Sequence, residues 1–178
     1  IANGDWSSDV CSSDLGIDPG YAIVGFGVVD YIDGKFSVKD FGAITTDKDT
    51  PFPKRLCEIY EDYCQILDSW KPDALSIERL YFTNNQKTGI DVAQARGIII
   101  MAAAQRGIEI NEYTPLQVKQ AVVGYGQAVK KQVQEMTKNI LKLPFVPKPD
   151  DTADALAMTI CHAQTSGSLL RNIKASNI

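Results

Sequence analysis

Two hydrophobic periods divide the chain. Residues 22–31 (AIVGFGVVDY) and 36–44 (FSVKDFGAI) are rich in β-formers and meet through Asp33-Gly34, a strong hairpin signal. With Gly16-Ile17-Asp18 ahead of them, they predict three successive antiparallel strands. The period then becomes helical. Leu56, Ile59, Tyr60, Tyr63, Leu67 and Trp70 fall at i, i+3, i+4, i+7, i+11 and i+14, an amphipathic stripe that Pro72 closes. Residues 74–80 (ALSIERL) predict a short strand, 85–105 a long helix with an apolar second half, and 108–113 another strand. That strand, helix, strand order predicts a parallel βαβ unit beside the antiparallel meander, hence an α/β fold with a mixed sheet. Helices follow over about 115–123, 128–142 and 150–164, the first two parted by Gly124-Tyr125-Gly126. The tail from residue 166 to 178 is expected to be loosely ordered.

Composition narrows this picture only a little. At 178 residues, 44% hydrophobic and 22% charged, the chain suits one globular domain. No run of eighteen apolar residues occurs and no signal-peptide pattern opens the chain, so the expectation is a cytoplasmic protein with no membrane partner. The four cysteines form no CxxC pair; Cys57 and Cys64, seven apart, are expected as small core residues on one helix face, with neither a disulfide nor zinc. A net charge of −4 argues weakly against a general nucleic-acid binder. Its distribution argues the other way. Over residues 115–142 Lys119, Lys130, Lys131, Lys138 and Lys142 face a single acid, Glu135. A solvated helix face accounts for such a run equally well.

The chemistry rests on acids in costly places. Asp18 stands at the mouth of an apolar strand before Pro19-Gly20, Glu78 interrupts Leu75-Ser76-Ile77, and Asp151 and Asp154, three apart, share one face at the start of the last helix. Taken singly, Asp18 or Glu78 reads as a solvated strand-edge residue. Together, carboxylates from two strands and a helix start can converge, and like charges so placed need cations to neutralise them. An all-oxygen set selects hard ions such as Mg2+ or Mn2+ over zinc and suits two-metal phosphodiester hydrolysis. His162, the single histidine, falls off the repeat of Asp154 and is expected at the helix surface or core edge.

The ordered blocks GIDPG (16–20), SIERLYF (76–82), QARG (94–97), VKQAVVGYGQAVKKQVQ (118–134) and DDTADALA (150–157) resemble the RuvC family of Holliday junction resolvases. The resemblance runs from Gly16 to about residue 164. It implies a ribonuclease H-like fold with a mixed five-stranded sheet flanked by helices. It also implies a homodimer that nicks two strands of like polarity at a four-way DNA junction, and branch-migration motor subunits of the RuvA and RuvB type as partners. Asp18, Glu78, Asp151 and Asp154 match the family's metal-binding catalytic acids, with two Mg2+ ions per site, Mn2+ substituting. Tyr81 matches the aromatic at the junction centre, where its ring would stack on an unpaired base. Without the resemblance Tyr81 reads as a core aromatic. Lys119 and Lys130 match the family's basic positions, and Lys131 adds a further cation for phosphate contact. Two alternatives stay open: another ribonuclease H-like nuclease, since fold and acids do not choose a substrate, and a junction-binding module without cleavage. Binding alone gains nothing from a repulsive acid cluster.

The beginning of the chain breaks the pattern. Residues 5–15, DWSSDVCSSDL, are eleven consecutive residues encoded by a common sequencing-library adapter read in frame. Residues 1–15 are therefore expected to be foreign, with the nuclease domain spanning 16–165. Residues 1–15 hold Asp5, Asp9 and Asp14 and no Lys or Arg, so without them the net charge of −4 becomes −1.

Overall fold

A computed structural model describes residues 12–80 and 86–176, the side chains of 86–88 and 167–176 excepted. Strand β1 (Ser12–Asp18) is followed by β2 (Ile23–Ile32), β3 (Lys35–Thr45), helix α1 (Phe52–Trp70), β4 (Ala74–Glu78), α2 (Gln86–Gln105), β5 (Glu109–Tyr113), α3 (Pro115–Val123), α4 (Lys130–Ile140) and α5 (Asp150–Ser176). The five strands form one mixed sheet in the order β3-β2-β1-β4-β5. β1 runs antiparallel to β2 and parallel to β4, which is parallel to β5, so the central strand β1 joins the predicted meander to the predicted βαβ unit.

The alternation along each strand sorts side chains between two layers. Leu15 and Ile17 of β1, Leu75 and Ile77 of β4, and Val24 and Val28 of β2 pack with Ile59, Tyr63 and Leu67 of α1 and Ala95, Ile99 and Ala102 of α2. On the other face Val29 and Tyr113 meet Val118, Val122, Val133, Leu156 and Ile160 of α3, α4 and α5. The same parity puts Asp14, Gly16 and Asp18 of β1 and Ser76 and Glu78 of β4 on the α5 face. Glycine decides how close α5 comes. A methyl group on Gly16 would overlap the Ala155 carbonyl oxygen, and one on Gly25 the Asp151 carbonyl, so α5 lies directly on the backbones of β1 and β2.

Four expectations are corrected. β1 begins at Ser12, not Gly16: Ser12, Ser13 and Asp14 pair with Tyr31, Asp30 and Val29 of β2. Backbone pairing with β2, joined at Ser13 and Asp14 by bonds from the β4 side, holds these residues in the sheet although their side chains carry no strand pattern. The stripe of α1 is rotated: Arg55, Ile59, Tyr63 and Leu67 are its buried residues, while Trp70 is exposed and donates to Asp40 Oδ2 at 3.1 Å. Arg55 is buried because its guanidinium bonds Thr46 Oγ1 (2.8 Å) and the Tyr21 carbonyl (3.1 Å) and lies over the Tyr21 ring. With the stripe centred there, Cys57 is exposed and Cys64 half-buried rather than core. Finally α5 continues through the expected loose tail to Ser176. His162 is at the core edge, buried, with Nδ1 2.7 Å from Tyr113 Oη.

Candidate active site

The acids meet where β1 and β4 end. Asp18 is the last residue of β1 and Glu78 the last of β4, one step beyond the paired residues Ile17 and Ile77, and both project to the α5 face. Parallel strands deliver their carboxyl ends to one edge, the usual ligand edge of an α/β sheet. Gly16 and Gly25 bring the start of α5 against that edge, and with it Asp151 and Asp154.

Burial and then mutual repulsion act on these acids. Burial, then the charges of Asp154, Glu78 and Asp151, push Asp18 up to about 8, with Lys130 working against the rise. Burial and the Asp154 charge raise Glu78. Burial also raises Asp154, opposed by its hydrogen bond from Lys130. The structure therefore brings all four predicted acids into one electrostatic cluster.

Among the described residues no three acids stand as a ready-made metal cage. A lysine sits there instead. Lys130, the first residue of α4, places Nζ 2.8 Å from Asp154 Oδ2 and 3.9 Å from Asp150 Oδ2. Partial burial pulls its pKa down, and the Asp154 hydrogen bond together with the charges of Asp154, Asp150 and Asp18 outweighs that and raises it. A set of carboxylates crowded and half-buried at one sheet edge, with Asp18 pushed up to about 8, needs a cation to balance it and fits a hard divalent ion.

Beside the acids opens a cavity of about 200 Å³ lined by Glu78, Asp154, Lys119, Lys130, Val118 and Val133 among others. Lys119 and Lys130 thus reach the site from α3 and α4. Lys131 is exposed and lines no part of this cavity. Tyr81 lies outside the described residues. Sequence reasoning assigned no role to Arg96, inside the QARG block, yet its guanidinium donates to the Glu78 carbonyl at 3.1 Å. An arginine on a helix reads as solvated; only its place in that block set it apart.

Known proteins resemble this chain over most of its length. The profile of a family described as "Crossover junction endodeoxyribonuclease RuvC" matches residues 14–162. A protein of that name from Ruminiclostridium cellulolyticum is 54% identical over 160 residues, covering 89% of this chain and 96% of its own. Another from Alkaliphilus oremlandii is 53% identical over 151 residues, covering 85% and 92%. The structure of "T. thermophilus RuvC in complex with Holliday junction substrate" superposes with a TM-score of 0.80 at 33% identity, over 85% of this chain and 93% of that one. The yeast mitochondrial Holliday junction resolvase Ydc2 shares the fold, with a TM-score of 0.63 at 13% identity. The fold is thus ribonuclease H-like, and with relatives matched over nearly their whole length at more than half identity, the chain belongs to the RuvC family of crossover junction endodeoxyribonucleases.

Proposed function

We propose that this protein resolves Holliday junctions in DNA recombination and repair by metal-dependent, paired and symmetric nicking of two strands. The observation that carries this reading is the convergence of Asp18, Glu78, Asp151 and Asp154, from two strand ends and one helix start, in a site where Asp18 is pushed up to about 8. Such strain between acids is costly to fold around and has a use when divalent cations occupy the site. These four residues would hold the ions, two of them, Mg2+ by the hard oxygen set with Mn2+ in its place. Bound there, the ions supply activation of a water molecule and charge stabilisation of the leaving oxygen.

The chain's own residues do the rest. Asp151 lies in the first turn of α5 and Asp154 in the next, so both reach the site from the start of one helix. Lys130 balances Asp154 before substrate arrives, and Lys119 and Lys130 on the cavity wall bind strand phosphates, setting position without reading sequence. Lys131, exposed at the next position of α4, extends that contact along the backbone. Tyr81, three residues beyond Glu78, stacks on an unpaired base at the crossover.

Two symmetric nicks need two sites, so the working form is a homodimer on the roughly two-fold junction. Its apolar contact is drawn from α2, where Ile90 and Met101 are exposed. Motor subunits of the RuvA and RuvB type would supply migrated junctions in the cytoplasm. Among the described residues no helix is long and apolar enough to cross a membrane.

The test is nicking of synthetic four-way junctions against plain duplex of the same sequence, with Mg2+ and with chelator. Paired nicks on the junction alone, abolished by chelator, are expected. Equal cutting of duplex would make the protein a general nuclease of this fold, and tight junction binding without nicking would make it a binding module.

A further inference from the structure

We infer that Arg96 is a positioning residue that fixes the end of β4 and so the placement of the Glu78 carboxylate. The inference rests on the assignment of Glu78 to the acid site proposed above. It begins from a gap in the sheet. On its β1 side, β4 is paired through Ala74, Leu75, Ser76 and Ile77. Glu78 lies one residue beyond, with β1 ending at Asp18. On the β5 side the ladder does continue, through Glu78 opposite Tyr113 and the Arg79 amide donating to the Tyr113 carbonyl at 2.8 Å. A strand end held on one flank is free to twist about the other, and a small rotation about the backbone of Glu78 swings its side chain.

Arg96 closes the gap from the helix layer. Its Nε donates to the Glu78 carbonyl at 3.1 Å, and its Nη2 donates to Glu112 Oε1 at 2.5 Å, with the side chain only 13% exposed. Glu112 belongs to β5 and also accepts from Arg79 Nε at 3.4 Å. One guanidinium thus ties α2, the last residue of β4 and β5 together, with Glu78 at the knot. The Arg96 hydrogen bond holds Glu112 below the usual carboxylate range, so the anchor stays charged while the catalytic acids beside it are raised. The geometry needs a planar fork with two separated donors. A lysine ammonium is a single point and cannot serve the carbonyl and the carboxylate together in that layout.

The experiment measures Mn2+ binding to the DNA-free protein by electron paramagnetic resonance, for wild type and for the variants Arg96→Gln, Arg96→Lys and Glu78→Gln. Junction affinity in chelator and the melting curve are read alongside. The expected result is at least a tenfold loss of Mn2+ affinity in Arg96→Gln, the scale typical of removing a partner that orients a metal ligand. Arg96→Lys should restore less than half of that loss on a logarithmic scale, and junction affinity in chelator should stay within about twofold. A purely structural tie would lower the melting temperature and leave the Mn2+ affinity of the folded fraction alone. Wild-type Mn2+ affinity in Arg96→Gln, with Glu78→Gln losing it, overturns the role of Arg96. If Arg96→Gln does not fold, Arg96→Lys decides, and wild-type affinity there overturns the inference. Unchanged affinity in Glu78→Gln would overturn the acid site itself and this inference with it.

Discussion

Asp14 carries the residue-scale tension of this fold. It is 3% exposed on the central strand, its Oδ2 accepts from Ser76 Oγ at 2.9 Å, and Oδ1 has no partner among the described residues. Burial outweighs the Ser76 hydrogen bond and raises its pKa well above the ordinary value. On a strand paired on both flanks and covered on both faces, a carboxyl occupies a place that apolar side chains usually fill. The linkage follows from the direction of the shift. Below the unfolded carboxyl's pKa, about 4, both states hold the proton and Asp14 costs nothing through titration. As pH rises above it the unfolded chain ionises first, and stability falls by up to about 1.4 kcal/mol per pH unit until the folded group ionises. Asp14→Val should therefore melt higher than wild type, with the gap widening from pH 5 to pH 8, at about 2 to 4 °C per kcal/mol gained. Asp14→Asn, which keeps an acceptor for Ser76, should remove the pH dependence of that gap. Equal melting at pH 8 would show that Asp14 is at no disadvantage there. Of the residue-level picture, Asp18 and Glu78 were legible because carboxylates are conspicuous among β-formers, and Asp151 and Asp154 because they stand three apart at a helix start. Arg55 and Arg96 were not, since a charged side chain shows no sign of burial until its partners, Tyr21 and Thr46 or Glu78 and Glu112, are brought to it by the fold.

Among the elements, α5 and its glycine bed set the site. The expected helix start at residue 150 is where α5 begins, and α3 spans the expected 115–123 and ends at Gly124, with Thr114 and Gln117 forming a capping box at its start. What the sequence could not show is that Gly16 and Gly25 are there to admit the backbone of α5, because a close approach between distant segments leaves no periodic trace. Gly25→Ala places a methyl group on the Asp151 carbonyl and 2.8 Å from the Thr152 amide nitrogen. The first turn of α5 must then lift. The expected cost is about 1 to 3 kcal/mol in stability. Cutting should slow by about 100-fold, because an ångström of displacement at a catalytic group is that expensive. Denaturant melts and single-turnover rates on one preparation check both, and a stability loss with an unchanged rate would detach the site from this packing. The lysines of α3 and α4 make a separate prediction. Lys119→Ala and Lys130→Ala should each reduce the slope of log K against log salt for junction binding by roughly one unit. Unchanged slopes would return both lysines to a solvated face.

At the scale of the whole molecule, an acidic chain binds a polyanion by partitioning its charge. The lysine-bearing helices α3 and α4 flank the acids, and cations held by those acids would turn the centre of the surface from repelling phosphate to attracting it. The alternating strand and helix order made the mixed sheet legible from sequence, and the order β3-β2-β1-β4-β5 follows from two antiparallel pairs, β1-β2 and β2-β3, and two parallel pairs, β1-β4 and β4-β5, that meet at β1. The joining of Asp18 to Glu78 was legible only through that shared strand, since 60 positions separate them in the chain. The account stands on those acids doing chemistry rather than holding structure, and it makes binding and cutting separable. Removing one charge relieves repulsion of the phosphate backbone while depriving the site of a ligand for its ions. The direct measurement is therefore junction affinity and single-turnover cutting, side by side in Mg2+, for wild type, Asp18→Asn, Glu78→Gln, Asp151→Asn and Asp154→Asn. Each variant should bind the junction at least as tightly as wild type and leave it uncut, whereas cutting at near the wild-type rate by any one of them would contradict the assignment of that residue to the site.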